Sequence, residues 1–432
     1  MAEKRSSRRG IKIVGIVLGV LMVAGLLGSG RIIRLYRVIT LFDSDKIVEN
    51  FRSMGEMLDS RVVRRGPEVY EFKRANAALP DTYIFRGSVK KVGPFLERTG
   101  TTGIVVVRDD TILHERYCLG NTETSKAISW SVAKSFVSAL FGIAMHEGHI
   151  KDIMEPVTGY VPLLKVSGYN DVPIKHVLQM SSGVRFNEDY ADFNSDINRM
   201  GRAIALKTPL DDFVASLQSE RKPGVYNHYV SMDTQVLGMI IREATGKTLS
   251  AYTEEKLWKP LGMESDALWL VDSAGMEAAF GGLNVVLRDY ARFGRLYLNN
   301  GNWNGVQVVP AAWVKASVTP DAPHLMPGKR DSSGWVLGYG YQWWIPENPE
   351  GDFLAIGIYG QFIYIHPHHR IVIAKTSAYA DYNRDGDDME IESIEMFRES
   401  RGRWGSKRKS LTYNPLPSIR FDAGPGLCSM RD

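Results

Sequence analysis

The spacing of apolar residues predicts strands at two separated places in the chain. The first is a pair of β-rich runs, residues 103–108 and 111–117, whose short polar link predicts a β-hairpin. Three further runs of strand character lie near the other end of the chain: residues 338–344, 361–366 and 370–376. Only a short link separates the last two runs, so we expect them to be antiparallel neighbours in one sheet.

A helical pattern fills the sequence between these strands. Apolar residues keep helical spacing from Val132 to Gly148, which predicts a helix buried through the middle of the protein. From residue 150 to about residue 330 the pattern is mostly helical, with Pro and Gly interruptions and no strong strand alternation. Strands, then a helical insertion, then strands that return to the same sheet are typical of an α+β architecture. We therefore predict an antiparallel sheet flanked by helices, together with a mostly helical lobe.

An uncharged apolar run, residues 13–28, follows a basic start and precedes Arg31, Arg34 and Arg37. Such a run is either the core of a signal peptide or a short membrane anchor. Because it is longer than a usual signal core and basic residues follow it directly, we favour an uncleaved single-pass anchor. Charge on its two sides is almost equal and favours an exported body only slightly. The expected location is thus the cell membrane, with the folded part on the periplasmic or extracellular side.

Composition indicates a folded globular protein, because 44% of the 432 residues are hydrophobic and 24% are charged. The formal net charge is +4. The basic excess lies at the two ends of the chain: Lys4, Arg5, Arg8, Arg9 and Lys12, then Arg398, Arg401, Arg403, Lys407, Arg408 and Lys409. Since the middle of the chain is balanced, we expect no nucleic-acid partner.

The start of the predicted buried helix carries a serine and a lysine three residues apart, Ser131 and Lys134. Residues i and i+3 share a helix face, so the hydroxyl and the amine lie side by side. The first turn of a helix also offers free backbone N–H groups and the positive end of the helix dipole. These groups can activate a serine nucleophile and stabilise the oxyanion that it forms. Ser-x-x-Lys alone is too short a motif to establish this role.

A second segment, residues 223–231, supplies phenols and hydroxyls close together. Tyr229 stands two residues before Ser231 and just ahead of a helical run, where a loop side chain can point into a cleft. A serine and a lysine need a further group to pass a proton to the leaving group, and a phenol can do this. Tyr229 is therefore the candidate proton carrier.

In its motifs the chain resembles the serine β-lactamase-related superfamily, the class C and penicillin-binding-protein-like hydrolases, and within it most resembles the 6-aminohexanoate-dimer hydrolase branch. Residues 131–134 match the first motif of the family, and residues 229–231 match its Tyr-x-Asn/Ser motif. Further landmarks follow in the family's order: residues 147–150, 176–183, 188–190, 281–284 and 288–294. The resemblance implies a β-lactamase/transpeptidase-like fold with the active site between sheet and helical lobe, and catalysis by Ser131, Lys134 and Tyr229 through an acyl-enzyme.

The resemblance also implies roles for residues outside these motifs. The backbone N–H groups of Ser131 and Ile358 would form the oxyanion hole. Ser231 and Asn284 are candidates for orienting the substrate or tuning Tyr229, with loop capping as the alternative for Asn284. Tyr190 is a further candidate for substrate binding. No cofactor and no metal ion are expected, and the partner is a small amide or ester substrate.

The third motif of the family carries a lysine or histidine on the strand beside the site, and here Ala355 occupies that position. That cation binds the substrate carboxylate in β-lactamases and penicillin-binding enzymes, so its absence argues against penicillins and cell-wall peptides. The main hypothesis is therefore a serine amidase or esterase. A D-alanyl-D-alanine carboxypeptidase or β-lactamase is the nearest alternative, and a non-catalytic envelope binding protein on the same fold is the alternative from another class.

These patterns divide the chain into four predicted segments. They are a basic N-terminus with an anchor or signal segment, 1–38, an irregular approach segment, 39–84, the serine hydrolase domain, 85–395, and a basic tail, 396–432. One other motif, in residues 381–392, has the spacing of an EF-hand calcium loop. An acidic loop that precedes a helix accounts for the same residues, and calcium binding there stays open.

Overall fold

The computed structural model describes residues 32–405. The proposed anchor, residues 13–28, and most of the basic tail lie outside the described residues. The strands are β1 Ser60–Val63, β2 Lys73–Arg74, β3 Thr82–Phe85, β4 Ser88–Lys91, β5 Thr101–Arg108, β6 Thr111–Tyr117, β7 Lys126–Ile128, β8 Ala267–Leu270, β9 Leu283–Val286, β10 Asn302–Trp303, β11 Val306–Gln307, β12 Gly338–Tyr339, β13 Trp344–Ile345, β14 Phe353–Gly357, β15 Gln361–His366 and β16 Ile371–Ser377.

Helices cover much of the remaining described sequence. They are α1 over residues 32–39, α2 Ile47–Met57, α3 Val92–Arg98, α4 Ala133–His146, α5 Ile174–Leu178, α6 Asp196–Ala205, α7 Leu210–Ala215, α8 Ser231–Thr245, α9 Leu249–Thr253, α10 Leu287–Leu298, α11 Ala311–Ser317 and α12 Tyr382–Gly405. No helix within residues 32–405 is both long enough and apolar enough to cross a membrane.

Eight strands form the main sheet in the order β12-β13-β14-β15-β16-β5-β6-β2. The expected hairpin β5–β6 and the expected antiparallel pair β15–β16 are both present. Strand β5 joins the two groups by pairing with β16, so the first and last strand-rich parts of the chain share one sheet, as predicted. The predicted α+β class is confirmed, with one parallel pair, β2–β6, at the edge of the sheet.

The buried helix predicted after residue 131 is α4, which is buried from Ala133 to Ala144. Its Phe136 ring stacks on Phe293 of α10, with ring centroids 3.7 Å apart. Helix α10 in turn lies on the main sheet, where a Cβ on Gly294 would come within 2.4 Å of the Val372 side chain. The absence of that Cβ allows helix and sheet to approach closely. Helix α4 is therefore held in the core, and its N-terminus is fixed relative to the sheet.

The segment predicted as irregular contains regular structure. Helix α2 buries Ile47, Phe51 and Met54, and strand β1 pairs with β8, Ser60 lying opposite Leu270. Strands β1, β8, β9 and β7 form a second, antiparallel sheet. The local sequence gives little sign of it, because each of these strands has only three or four residues and β1 pairs with β8 about 200 residues further along the chain.

Two other predicted elements differ from the structure. The part from 150 to 330 is mostly helical as expected, but it also contains the short strands β8 to β11. The run 338–344 is not one strand: β12 and β13 are antiparallel partners, and the chain reverses between them at Gln342, whose φ is +64°. Apolar residues on both sides of this tight turn give the sequence the appearance of a single strand.

Most of the acidic residues of 381–392 lie on α12, which begins at Tyr382; Asp381 precedes this helix, and the helix is kinked at Asp385. Glu392 accepts hydrogen bonds from Tyr83, Lys90 and Arg98. Within residues 32–405 no cluster of His, Cys, Asp and Glu has the arrangement of a metal site.

Candidate active site

Ser131 lies in a 3-10 turn, Trp130–Val132, that leads directly into α4. Trp130 has a φ of +43°, in the left-handed region that residues other than glycine rarely adopt. Backbone strain of this kind persists only where the surroundings hold it in place. The turn leaves the Ser131 side chain 8% exposed, next to a cavity and beside the N-terminus of a buried helix.

Lys134 is buried one turn further along and makes three hydrogen bonds. Its Nζ lies 3.0 Å from Ser131 Oγ, 3.2 Å from Ser231 Oγ and 2.7 Å from the carbonyl oxygen of Phe280. Burial lowers the pKa of Lys134 to about 7, although the negative charges of Glu188 and Asp233 act in the opposite direction. Near neutral pH a large fraction of this amine is therefore unprotonated.

Tyr229 is half-buried and reaches the same serine from the loop before α8. Its hydroxyl faces the Ser131 side chain, and its ring centroid lies 5.2 Å from Lys134 Nζ. The ring stacks on Trp344, with centroids 5.3 Å apart, which fixes its direction. Burial and the charge of Glu188 raise the pKa of Tyr229 well above 10. The phenol keeps its proton at neutral pH, so it can donate one.

Ser231 connects Lys134 to a carboxylate. It is the first residue of α8, and both its backbone N–H and its hydroxyl donate to Glu188. The Tyr190 hydroxyl donates to the same carboxylate, 2.8 Å away. Tyr190 also lines the cavity beside Ser131. Ser231 and Tyr190 therefore share one anion, which holds both side chains in position.

The end of strand β14 lies against the nucleophile turn. A Cβ on Gly357 would lie 2.5 Å from the Ser129 carbonyl oxygen and 3.2 Å from the Ser131 backbone nitrogen, so only glycine permits this approach. Ile358 follows at once and lines the cavity together with Ser131. The next residue, Tyr359, has a φ of +60°, where the chain turns away toward β15. This arrangement suits an oxyanion hole made of the Ser131 and Ile358 backbone N–H groups.

Two candidate positions, one on each of the two larger sheets, do not join this cluster. The Asn284 amide, on β9, donates to the carbonyl oxygens of Gly282 and Leu268, which corresponds to the capping alternative. Ala355 lies on β14 opposite Ile363 and is 1% exposed. Position 355 thus presents a buried methyl group and no cation.

The sequence candidates did not include Glu188 or Asp233. Glu188 is 43 residues from its partner Ser231 in the chain, and nothing local marks it except its place in the segment 188–190. Asp233 is fully buried, its carboxylate accepts from Tyr169, and burial raises its pKa to about 8. Helical spacing does not mark it, because residues two apart on a helix do not share a face and its partner Tyr169 is 64 residues away in the chain.

The three hydrogen bonds of Lys134 determine where its lone pair points. A neutral amine has two N–H donors and one lone pair. The Phe280 carbonyl can only accept, and the Ser231 hydroxyl, whose hydrogen is given to Glu188, accepts as well. The lone pair is then left for the Ser131 hydroxyl. The arrangement can remove a proton from Ser131 and stabilise an oxyanion, which is the chemistry of acyl transfer.

Comparison with known families gives one match over most of the chain. The family model described as Beta-lactamase matches residues 90–394. The matched range contains the candidate residues Ser131, Lys134, Tyr229 and Ile358.

Individual relatives agree with this match. The 6-aminohexanoate-dimer hydrolase of Paenarthrobacter ureafaciens is 31% identical over 345 residues, which cover 77% of this chain and 85% of the relative. A solved structure from Bacillus anthracis, assigned as a 6-aminohexanoate-dimer hydrolase, superposes with a TM-score of 0.73 at 26% identity and covers 84% of this chain and 96% of that one. A penicillin-binding protein homologue from Pyrococcus abyssi shares the fold, with a TM-score of 0.52 at 18% identity over 71% of this chain and 76% of that one.

Proposed function

This serine hydrolase belongs to the Beta-lactamase family, and from that premise we propose that it cleaves a linear amide or ester through an acyl-enzyme on Ser131. The observation that carries the proposal is the contact between Ser131 Oγ and a buried amine. Lys134 Nζ lies 3.0 Å away, and burial brings its pKa to about 7. An amine in that state can act as a general base at neutral pH.

In the acylation step the Ser131 hydroxyl gives its proton to Lys134 while Oγ attacks the substrate carbonyl. The carbonyl oxygen becomes an oxyanion and accepts hydrogen bonds from the backbone N–H groups of Ser131 and Ile358. Tyr229 donates its proton to the leaving nitrogen or oxygen and regains one from the Lys134 ammonium. The products of this step are the acyl-enzyme and the free amine or alcohol.

Water then releases the acid by the same route in reverse. Lys134 accepts the proton of the attacking water, and Ser131 recovers its proton as the second tetrahedral intermediate breaks down. Glu188 takes no part in bond breaking. It holds Ser231 and Tyr190, and through Ser231 it fixes the direction of the Lys134 amine.

The substrate class follows from Ala355 and from the relatives. A buried methyl group at position 355 offers no cation to the carboxylate of a penicillin or a cell-wall peptide. The relative from Paenarthrobacter ureafaciens is named as a hydrolase of 6-aminohexanoate dimers. Linear amides of that kind, and simple esters, are therefore the first substrates to test.

Covalent labelling tests the proposal. A fluorophosphonate probe should label the wild type and not Ser131→Ala, and a fluorescent penicillin should label neither. Hydrolysis of p-nitrophenyl esters should likewise depend on Ser131. Penicillin labelling would favour a carboxypeptidase or β-lactamase. A wild type that takes no label and hydrolyses no ester would favour a binding protein on the same fold.

We also propose that residues 13–28 anchor the protein in the cell membrane, with the hydrolase exported. The support is the uncharged apolar run between two basic stretches. The full chain should sediment with membranes after a high-salt wash, whereas a chain that lacks residues 1–31 should not. Protease added to cells stripped of their outer layers should digest the body of an exported enzyme. A full chain that is washed off, or a protected body, would contradict the respective part of the proposal.

A further inference from the structure

A cavity of about 290 Å³ opens directly beside Ser131 and Ile358. Its wall comes from parts of the chain that are distant in sequence. These parts are the end of α1 with the residues that follow it, helix α2, helix α6, and the residues around β8 and β9. Apolar side chains on these elements face it, among them Leu41, Met54, Met200 and Leu270. The segment 32–58, which the sequence pattern left without a function, thus forms one side of the space next to the nucleophile.

The cavity offers little to a charged group. Arg202 is the one charged side chain in its wall among the described residues. Its guanidinium lies 3.9 Å from the centre of the Phe193 ring and donates a hydrogen bond to the Phe193 carbonyl oxygen. Asn198, a polar wall residue, donates its amide hydrogens to the Tyr190 and Asp192 carbonyl oxygens. Burial of an unpaired charge or polar group here would be unfavourable, whereas burial of a hydrocarbon chain is favourable.

The position of the cavity indicates which part of the substrate it takes. The carbonyl oxygen must lie at the Ser131 and Ile358 N–H groups, and the leaving group must face the proton donor Tyr229. Tyr229 is packed on Trp344 and Tyr339 and is not part of the cavity wall. The remaining substituent of the carbonyl carbon, the acyl chain, is therefore the one directed into the cavity.

Large apolar residues are exposed on the elements that line the cavity. Helix α1 exposes the large side chains Ile32, Ile33, Tyr36 and Ile39 to solvent, and Ile39 also lines the cavity. Phe193 also lines the cavity and is 60% exposed. A cluster of exposed large apolar residues is typical of a site for an apolar ligand or surface. The described part of helix α1 also lies only a few residues after the apolar run 13–28.

We propose that this cavity is an acyl-chain site and that the enzyme hydrolyses amides or esters of linear, uncharged, medium- to long-chain carboxylic acids. The inference rests on the proposed function of Ser131 and narrows its substrate class. It also sets this chain apart from a hydrolase whose acyl group carries a positive charge at its far end, because no carboxylate lines the cavity among the described residues.

Two ester series test this inference in the full-length protein. One is p-nitrophenyl acetate to dodecanoate, in which the acyl chain grows, and the other is the acetates of alcohols of the same lengths. Burial of each methylene is worth about a fourfold gain in kcat/KM until the cavity is full. We expect that gain in the acyl series and a nearly flat alcohol series. A preference for acetate, or the same gain in both series, would overturn the proposal.

A matched pair of glycine variants tests whether the acyl chain of the substrate binds in this cavity. Gly201 lies on α6 in the cavity wall, and a Cβ there would meet nothing within 4 Å. Gly93, on α3, is equally open but lies away from the cavity. Gly201→Phe should lower the ratio of dodecanoate to acetate kcat/KM by at least about tenfold, and Gly93→Phe should leave it unchanged. An unchanged ratio in Gly201→Phe would overturn the cavity assignment.

Failure of this inference differs from failure of the proposed function. An enzyme that is labelled by a fluorophosphonate at Ser131 but prefers acetate remains a serine hydrolase without an acyl-chain site. An enzyme that takes no label and hydrolyses no member of either series fails as a hydrolase. The two results cannot be confused, because the labelling does not depend on chain length.

Discussion

The Ser231 hydroxyl donates its hydrogen to Glu188, so its oxygen is left to accept from the Lys134 amine 3.2 Å away. This contact orients the Lys134 amine. With Ser231 and the Phe280 carbonyl as acceptors, the lone pair of a neutral Lys134 faces Ser131. The pH at which Lys134 loses its proton therefore becomes the pH at which the enzyme becomes active.

We expect kcat/KM to rise through a single ionisation near pH 7. Because burial lowers the pKa of Lys134 to about 7, activity should fall about tenfold per pH unit below that value and level off above it. Lys134→Arg, which stays charged, should lose at least about a thousandfold in kcat. The measurement is p-nitrophenyl ester hydrolysis from pH 5 to 9, with the exposed Lys151→Arg as control. A flat profile over this range would contradict the role of Lys134.

Glu188→Gln should move this ionisation to lower pH. The negative charge of Glu188 raises the pKa of Lys134, so its removal leaves burial less opposed. We expect a downward shift of the midpoint and a loss in kcat, since a single amide oxygen cannot replace both carboxylate contacts to Ser231. Asp189→Asn, an exposed neighbour in the same loop, should change neither. A loss of activity with an unmoved midpoint would make Glu188 merely structural.

The contrast between Lys134 and Glu188 shows what the sequence could and could not reveal. Ser131 and Lys134 are three residues apart, so helical geometry alone places them together. Tyr229 and Ser231 share one short segment. Glu188 reaches Ser231 only through the tertiary fold, and no spacing rule connects residues 43 positions apart.

For the fold as well, elements with a local sequence signal were predictable, and elements that depend on distant parts of the chain were not. Hairpin β5–β6 and the pair β15–β16 were predictable, because each is a pair of long apolar runs with a short link. Strand β1 was not, because its four residues become a strand only through pairing with β8. The cavity beside Ser131 was equally invisible, since its wall joins the 32–58 segment to helix α6 and the β8–β9 region.

Tyr229→Phe should affect substrates according to their leaving groups. The phenol keeps its proton at neutral pH and donates it to the departing atom, so amides and alkyl esters should lose about a hundredfold or more in kcat. p-Nitrophenyl esters should lose much less, because nitrophenolate leaves without a proton. The comparison is the ratio of amide to p-nitrophenyl ester turnover, with Tyr226→Phe as control. An equal loss on both substrates would contradict the role of Tyr229 as proton donor.

A second buried lysine, Lys375, should make the free energy of unfolding depend on pH. Lys375, on β16, donates to Ser377 Oγ, and burial lowers its pKa to about 7. Between pH 7 and pH 10.5 the folded state holds this amine neutral while the unfolded chain binds a proton. The free energy of unfolding should therefore rise with pH in this window, by about 1.4 kcal/mol per pH unit for this group.

Lys375→Met removes the titrating amine. The slope of unfolding free energy against pH should therefore be smaller than in the wild type by about 1.4 kcal/mol per pH unit. Denaturant unfolding at pH 7.5, 8.5 and 9.5 measures it. The exposed Lys165→Met should keep the wild-type slope. Equal slopes in Lys375→Met and wild type would show that Lys375 is protonated in the folded protein.

Gly357→Ala tests the oxyanion hole without touching a catalytic side chain. A Cβ at this position would lie 2.5 Å from the Ser129 carbonyl oxygen, a backbone atom that cannot rotate away, so the end of β14 must move from the Ser131 turn. The Ile358 N–H moves with it. Loss of one oxyanion donor costs about a hundredfold or more in kcat, and we expect a loss of that order with KM little changed. Gly159→Ala, where a Cβ meets nothing within 4 Å, should retain full activity. Circular dichroism would confirm that both variants are folded. A folded Gly357→Ala enzyme with wild-type kcat would show that the Ile358 N–H does not bind the oxyanion.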